Sequence, residues 1–111
     1  MDLIFSNSFN ALKPGGLLGV VEHRAKPGTS MEAMKKSGYV TEEHAIEVAK
    51  KHGFILVAKS EINANPKDTA DHPGGVWTLP PNYRLKEKDK EKYKAIGESD
   101  RMTLLFKKSS L

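Results

Sequence analysis

Glu22, His23 and Arg24 stand consecutively where an apolar run, residues 17–21, gives way to polar residues. A carboxylate beside an imidazole can orient an acceptor or support the histidine as a general base, and open α/β sheets bind ligands outside the carboxyl ends of their strands. Glu22 and His23 are therefore the candidate catalytic pair, and Arg24 a candidate substrate contact. The structural alternative is that Glu22 and Arg24 satisfy the strand-end backbone and each other. Asp100 and Arg101, preceded by Glu98, open a second run of alternating polarity and are candidates for substrate binding or for a salt bridge within a turn. Trp77, in GVWTLPP with Pro80, Pro81 and Tyr83 following, is a candidate wall of a substrate pocket or an anchor for its own loop.

The same residues exclude other chemistry. The chain has no cysteine, which removes disulfides and thiolate metal ligands and fits a reducing, cytoplasmic setting. His23, His44, His52 and His72 lack ligand spacing, and His44 and His52 are too far apart on one helix to share an ion, so no metal is expected. No GxSxG, Cys/His pair or P-loop supports a hydrolase or phosphotransferase. A net charge of +4, from 18 basic and 14 acidic residues interspersed along the chain, does not make a nucleic-acid footprint. No apolar stretch approaches the roughly 18 residues of a membrane span, and the N-terminus has no secretory leader pattern. The expectation is a soluble protein with no nucleic-acid or membrane partner.

These side chains must be positioned by a small scaffold. With 111 residues, 38% apolar and 29% charged, there is room for one domain, 1–111, with a core that is marginal unless the chain associates. Leu3, Ile4, Phe5, Phe9 and Leu12 fall close to one helical face over residues 2–12. Pro14 ends that helix and Gly15-Gly16 turn the chain into residues 17–21, which are apolar at every position and read as a central strand covered on both faces. Residues 28–38 read as a polar loop with a weak helical turn. Thr41 is a candidate N-cap, with Glu42 and Glu43 in the first turn and Gly53 closing the helix. A strand from Phe54 through the alternation at Ser60 and Ile62 completes a strand–helix–strand crossover. Residues 63–100 read as a long loop or lid, with a lysine-rich solvated helix over 86–96 whose charges pair at i,i+3. Residues 101–107 alternate Met102, Leu104 and Phe106 against more polar neighbours, a half-covered last strand.

LKPGG at 12–16, VVEHRAKPG at 20–28, HGFILVAKSEINANPKDT at 52–69 and GESDRMTLLF at 97–106 together resemble the C-terminal half of class I S-adenosylmethionine-dependent methyltransferases, in a bacterial branch described as predicted methyltransferases. The resemblance covers nearly the whole chain. It implies an α/β, partial Rossmann-like methyltransferase sheet with flanking helices, in which residues 17–22 are the fifth strand, 54–62 the sixth and 101–107 the seventh, inserted antiparallel between them. It also implies S-adenosylmethionine as cofactor. The family's glycine-rich loop, its ribose carboxylate and its fourth strand have no counterpart in these residues, so a lone copy is not expected to build the cofactor pocket.

Three functions follow as expectations. The first is S-adenosylmethionine-dependent methyl transfer, as the resemblance implies, to an acceptor the sequence does not name, with the cofactor half supplied by another chain. The second is a non-catalytic ligand-binding or assembly module derived from a methyltransferase. The third is a truncated product that folds by dimerising. A homodimer is expected in any case, because the strand at 17–21 lacks a partner on one edge; a second copy would cover that edge or Leu3, Phe5 and Phe9.

Overall fold

A computed structural model describes residues 1–109. Helix α1 (Asp2–Ala11) ends ahead of Pro14, and Gly15, at φ +81°, turns the chain into strand β1 (Leu17–His23). The Gly16 N–H closes that turn on the Lys13 carbonyl at 2.8 Å. Two capped helices follow. Helix α2 (Met31–Ser37) starts at Ser30, whose hydroxyl accepts from the Ala33 N–H at 3.1 Å. Helix α3 (Glu42–Lys51) starts at Thr41, whose hydroxyl accepts from the His44 N–H at 3.1 Å. Each hydroxyl satisfies an N–H that a helix start leaves without a carbonyl. Strand β2 (Phe54–Ser60), helix α4 (Lys90–Ile96) and strand β3 (Arg101–Lys108) complete the fold, with one 3-10 turn at Gly75–Thr78.

The sheet order is β1-β3-β2, and β3 pairs antiparallel with both neighbours, so β1 and β2 run parallel to one another. The last strand thus returns between the two strands of the crossover, in the order expected from the sequence. Alternation of side chains along β3 sends Met102, Leu104 and Phe106 to one face, where Phe5 of α1, Ala45, Val48 and Ala49 of α3, and Phe54 complete the core. Phe5 lies 5.9 Å from Phe54 and 5.7 Å, edge-to-face, from Phe106. Burying each such ring is worth roughly 1.5–3 kcal/mol.

The opposite face is open. Leu17 (57% exposed), Val21 (51%), Ile55 (56%) and Val57 (48%) stand on it, and a Cβ added at Gly19 would meet nothing within 4 Å. The reading of residues 17–21 as a central strand covered on both faces is therefore corrected. β1 is an edge strand, because the sheet order β1-β3-β2 gives it a single partner, and it is covered on one face only, because α1 and α3 both pack on the core face. Residues 28–38 contain a full helix, α2, where only a weak turn was expected. Within 86–96 helix begins only at Lys90, because Lys86 and Asp89 adopt φ +58° and +54°. The expected Glu87–Lys90 pair forms at 3.6 Å, yet Tyr93 on this helix is buried rather than solvated.

Candidate functional site

Strand geometry sorts the candidate residues before any contact is considered. His23 pairs with Arg101 in the register of β1 and β3, while Arg24 and Asp100 are the next residues along each chain. Successive side chains point to opposite faces. His23 and Arg101 therefore share the open face, and Arg24 and Asp100 share the face that carries α3. The strand-end candidates, which the sequence places at one end of the sheet, are thus divided between its two faces.

On the α3 side, Arg24 meets three carboxylates. Its Nε donates to Asp100 Oδ2 and its Nη2 to Asp100 Oδ1, both at 2.9 Å. Nη2 and Nη1 also reach Glu61 at 2.8 and 3.2 Å, and Nη1 reaches Glu42 at 3.4 Å. Bonds first to Asp100 and then to Glu61 push the guanidinium pKa above its already high ordinary value. Burial opposes ionisation of Asp100, but the bonds it accepts from Arg24 and from the Asn65 N–H outweigh it and hold the carboxyl below its usual range. Arg24, Asp100, Lys26, Thr41 and Glu42 line a cavity of about 420 Å³ at the start of α3. Glu22 lines neither this cavity nor the one on the open face; its carboxylate accepts from the His23 N–H at 2.9 Å, and among the described residues no hydrogen bond or ion pair joins it to Arg24.

Behind this pair sits a carboxylate that the sequence reading did not single out. Asp68 is fully buried and accepts four hydrogen bonds. Oδ1 takes the Ala70 N–H at 2.9 Å and shares a proton with His72 Nε2 at 2.8 Å. Oδ2 takes the Tyr39 hydroxyl at 2.8 Å and the Asp100 N–H at 2.9 Å. Burial, followed by the bond to Asp68, pushes the Tyr39 hydroxyl far above its ordinary pKa. This hub fastens residues 68–72 to the start of β3, so the segment expected as a lid is tied down at its root.

On the open face, His23 Nδ1 lies 2.6 Å from the buried Ser99 hydroxyl, another residue absent from the sequence-based set. When Ser99 accepts from Nδ1–H, Nε2 carries the lone pair, and no group among the described residues hydrogen-bonds it. His23, Ser99, Arg101, Trp77, Pro80 and Pro81 line a cavity of about 190 Å³. His23, Arg101 and Trp77 are thus brought together by the structure, as an imidazole, a guanidinium and an aromatic wall at the carboxyl end of β1.

Neither of the two parallel strands ends in a glycine-rich turn or an open carboxylate of the kind that would hold the methionine and ribose parts of S-adenosylmethionine. β1 leads into α2 through residues 24–30 with a single glycine, Gly28, in place of a glycine-rich turn. The carboxylate just beyond β2, Glu61, has both oxygens on Arg24 rather than open to a ribose. Among the described residues no cluster of three or more His, Asp or Glu could hold a metal ion, and no helix is long and apolar enough to cross a membrane. No family model, no curated protein and no solved structure matches the chain.

Proposed function

We propose that this chain is the acceptor-binding half of a methyltransferase-like enzyme, holding a small molecule in the cavity at the carboxyl end of β1 while another polypeptide holds the methyl donor. The observation that carries the reading is the junction of His23, Ser99, Arg101 and Trp77 on one cavity beside a β1-β3-β2 sheet with an inserted antiparallel strand. His23 serves as general base: Ser99 fixes the ring through Nδ1, and Nε2 takes the proton of an acceptor O–H or N–H. Arg101 and Trp77 orient that acceptor. S-adenosylmethionine enters this reading through the sequence resemblance alone.

Calorimetry tests it. The purified chain is expected to give no binding of S-adenosylhomocysteine, whereas a complex co-expressed with the polypeptide encoded directly upstream binds it. A Kd near 1 μM for the chain alone, about −8 kcal/mol, or a complex that also fails to bind, overturns the reading. The second reading, a ligand-binding module without chemistry, is favoured by the commitment of Glu61 to Arg24. It predicts that neither sample binds and that ligand affinity is indifferent to any partner.

A further inference from the structure

Two arginines stand at the rim, and they differ in what remains to them. Arg24 directs Nε, Nη1 and Nη2 at carboxylates. The Arg101 guanidinium has one polar contact among the described residues, Nη2 to the Glu98 carboxylate at 3.5 Å, the outer limit for a hydrogen bond. Its Nε is buried without an acceptor, and Glu98 is 72% exposed, so water competes for that carboxylate. A guanidinium in this state has donors to offer, and a carboxylate, planar with two oxygens, is the acceptor that matches its fork.

The cavity beside Arg101 sets the size and shape of what could supply that carboxylate. At 190 Å³ it falls below the roughly 300–1,000 Å³ of drug-sized sites, which limits the occupant to about one ring. Trp77, Pro80 and Pro81 give it flat apolar walls. The indole is held from two directions: Arg84 stands 4.6 Å over its ring, and Gly38 packs against its outer end, where an added Cβ would lie 2.8 Å from Trp77 Cη2. His23 and Ser99 add a polar pair to the same wall, and the exposed Glu98 carboxylate also lines the cavity, on the Arg101 side where the two side chains meet.

The geometry points to a small planar organic anion, one aromatic ring carrying a carboxylate, as the ligand of this cavity, with Arg101 binding the carboxylate and Trp77 flanking the ring. This inference rests on reading the cavity as the acceptor site. Binding of such a ligand needs neither cofactor nor partner, so its outcome is separable from that of the calorimetric test above.

Trp77 is the only tryptophan of the chain, and its emission reports on the cavity directly. The full chain is titrated with benzoate and with its neutral isostere benzamide. Benzoate is expected to perturb the emission saturably and to bind at least tenfold more tightly, a margin of about 1.4 kcal/mol. Arg101→Gln removes the margin and Arg101→Lys keeps part of it. Glu98→Gln, which removes a negative charge from the cavity lining and frees Arg101 from its present contact, tightens benzoate severalfold and benzamide by less. Lys26→Gln, in the cavity on the opposite face, alters neither. Equal affinity for the two probes overturns the inference. So does an unaltered benzoate preference in folded Arg101→Gln, or the absence of saturation by about 20 mM benzoate. Should Arg101→Gln fail to fold, Arg101→Lys and Glu98→Gln carry the test.

Discussion

The Arg24 guanidinium and the Asp100 carboxylate meet at two points, Nε to Oδ2 and Nη2 to Oδ1, both at 2.9 Å, and so tie the residue after β1 to the residue before β3. The pair closes the sheet at the end where both cavities lie. Arg24 and Asp100 retain only 17% and 10% of their side-chain exposure, so their mutual attraction is weakly screened.

Removing one partner should therefore cost more than a surface ion pair does. Arg24→Ala strands Asp100 among buried neighbours, and a loss of about 2–3 kcal/mol is expected, just under the 3–5 kcal/mol of a fully buried pair. Urea unfolding measures it. A double-mutant cycle with Asp100→Ala should return a coupling of at least about 1 kcal/mol; additive losses would show that the pair contributes nothing of its own.

The same pair sets the acid limit of the fold. The Asp100 carboxyl titrates below its ordinary value in the folded chain, so the unfolded state binds protons first as pH falls. Its stabilising contribution is complete above the unfolded pKa of about 4 and is lost as pH drops through the lower, folded value. Stability measured by urea unfolding is expected to fall below about pH 4, and Asp100→Asn should make that acid limb shallower. A limb of equal slope in the variant would assign acid sensitivity elsewhere.

Asp68 offers a test in which a conservative change is not conservative. Each of its oxygens accepts one backbone N–H, from Ala70 on Oδ1 and from Asp100 on Oδ2. In Asp68→Asn the amide NH₂ must face one of these two donors, whichever way the side chain is flipped. With the carboxylate fully buried, a loss of about 2–3 kcal/mol is expected. Tyr39→Phe removes one of four donors and should cost less, about 1 kcal/mol. Thermal or urea unfolding ranks the two, and the reverse ranking would contradict the hub as drawn.

The parts of this molecule legible in the sequence are those decided by local chemistry. Pro14 and Gly15 stop α1 and turn the chain, Thr41 caps α3, and the alternation at Met102, Leu104 and Phe106 marks the covered side of β3. The Asp68 hub was not legible, because its donors come from residues 39, 70, 72 and 100. Only the i,i+4 spacing of Asp68 and His72 hints at it. The split of the rim was available from strand parity alone: His23 and Arg24 could not both face one cavity once β1 extended through His23. The openness of one sheet face was hidden for the opposite reason: a run apolar at every position ordinarily marks a strand covered on both faces, and Leu17 and Val21 depart from that rule by standing half-exposed.

That open face bears on association. Val40 bridges the outer edge of β1 only at its end, donating to the His23 carbonyl and accepting from the Ala25 N–H, both at 2.8 Å. From Leu17 to Glu22 the outer N–H and C=O groups face no strand among the described residues, beside half-exposed Leu17 and Val21. An apolar strand with a free edge pairs readily with another strand, and a second copy related by a two-fold axis provides one through the commonest closed symmetry. On the alternative surface Phe5 is already covered within the chain at 1% exposure while Leu3 stands 72% exposed; the β1 edge is the better interface because it adds unpaired backbone to its apolar side chains. Sedimentation equilibrium at tens of micromolar is expected to give twice the 12.3 kDa chain mass. Val21→Lys, which sets a charge beside that edge, should shift the protein to monomer and leave the unfolding free energy per chain, extrapolated to low concentration, within about 0.5 kcal/mol. A wild-type chain that sediments as a folded monomer at every concentration would mean that β1 tolerates its free edge in water and that the two copies never meet.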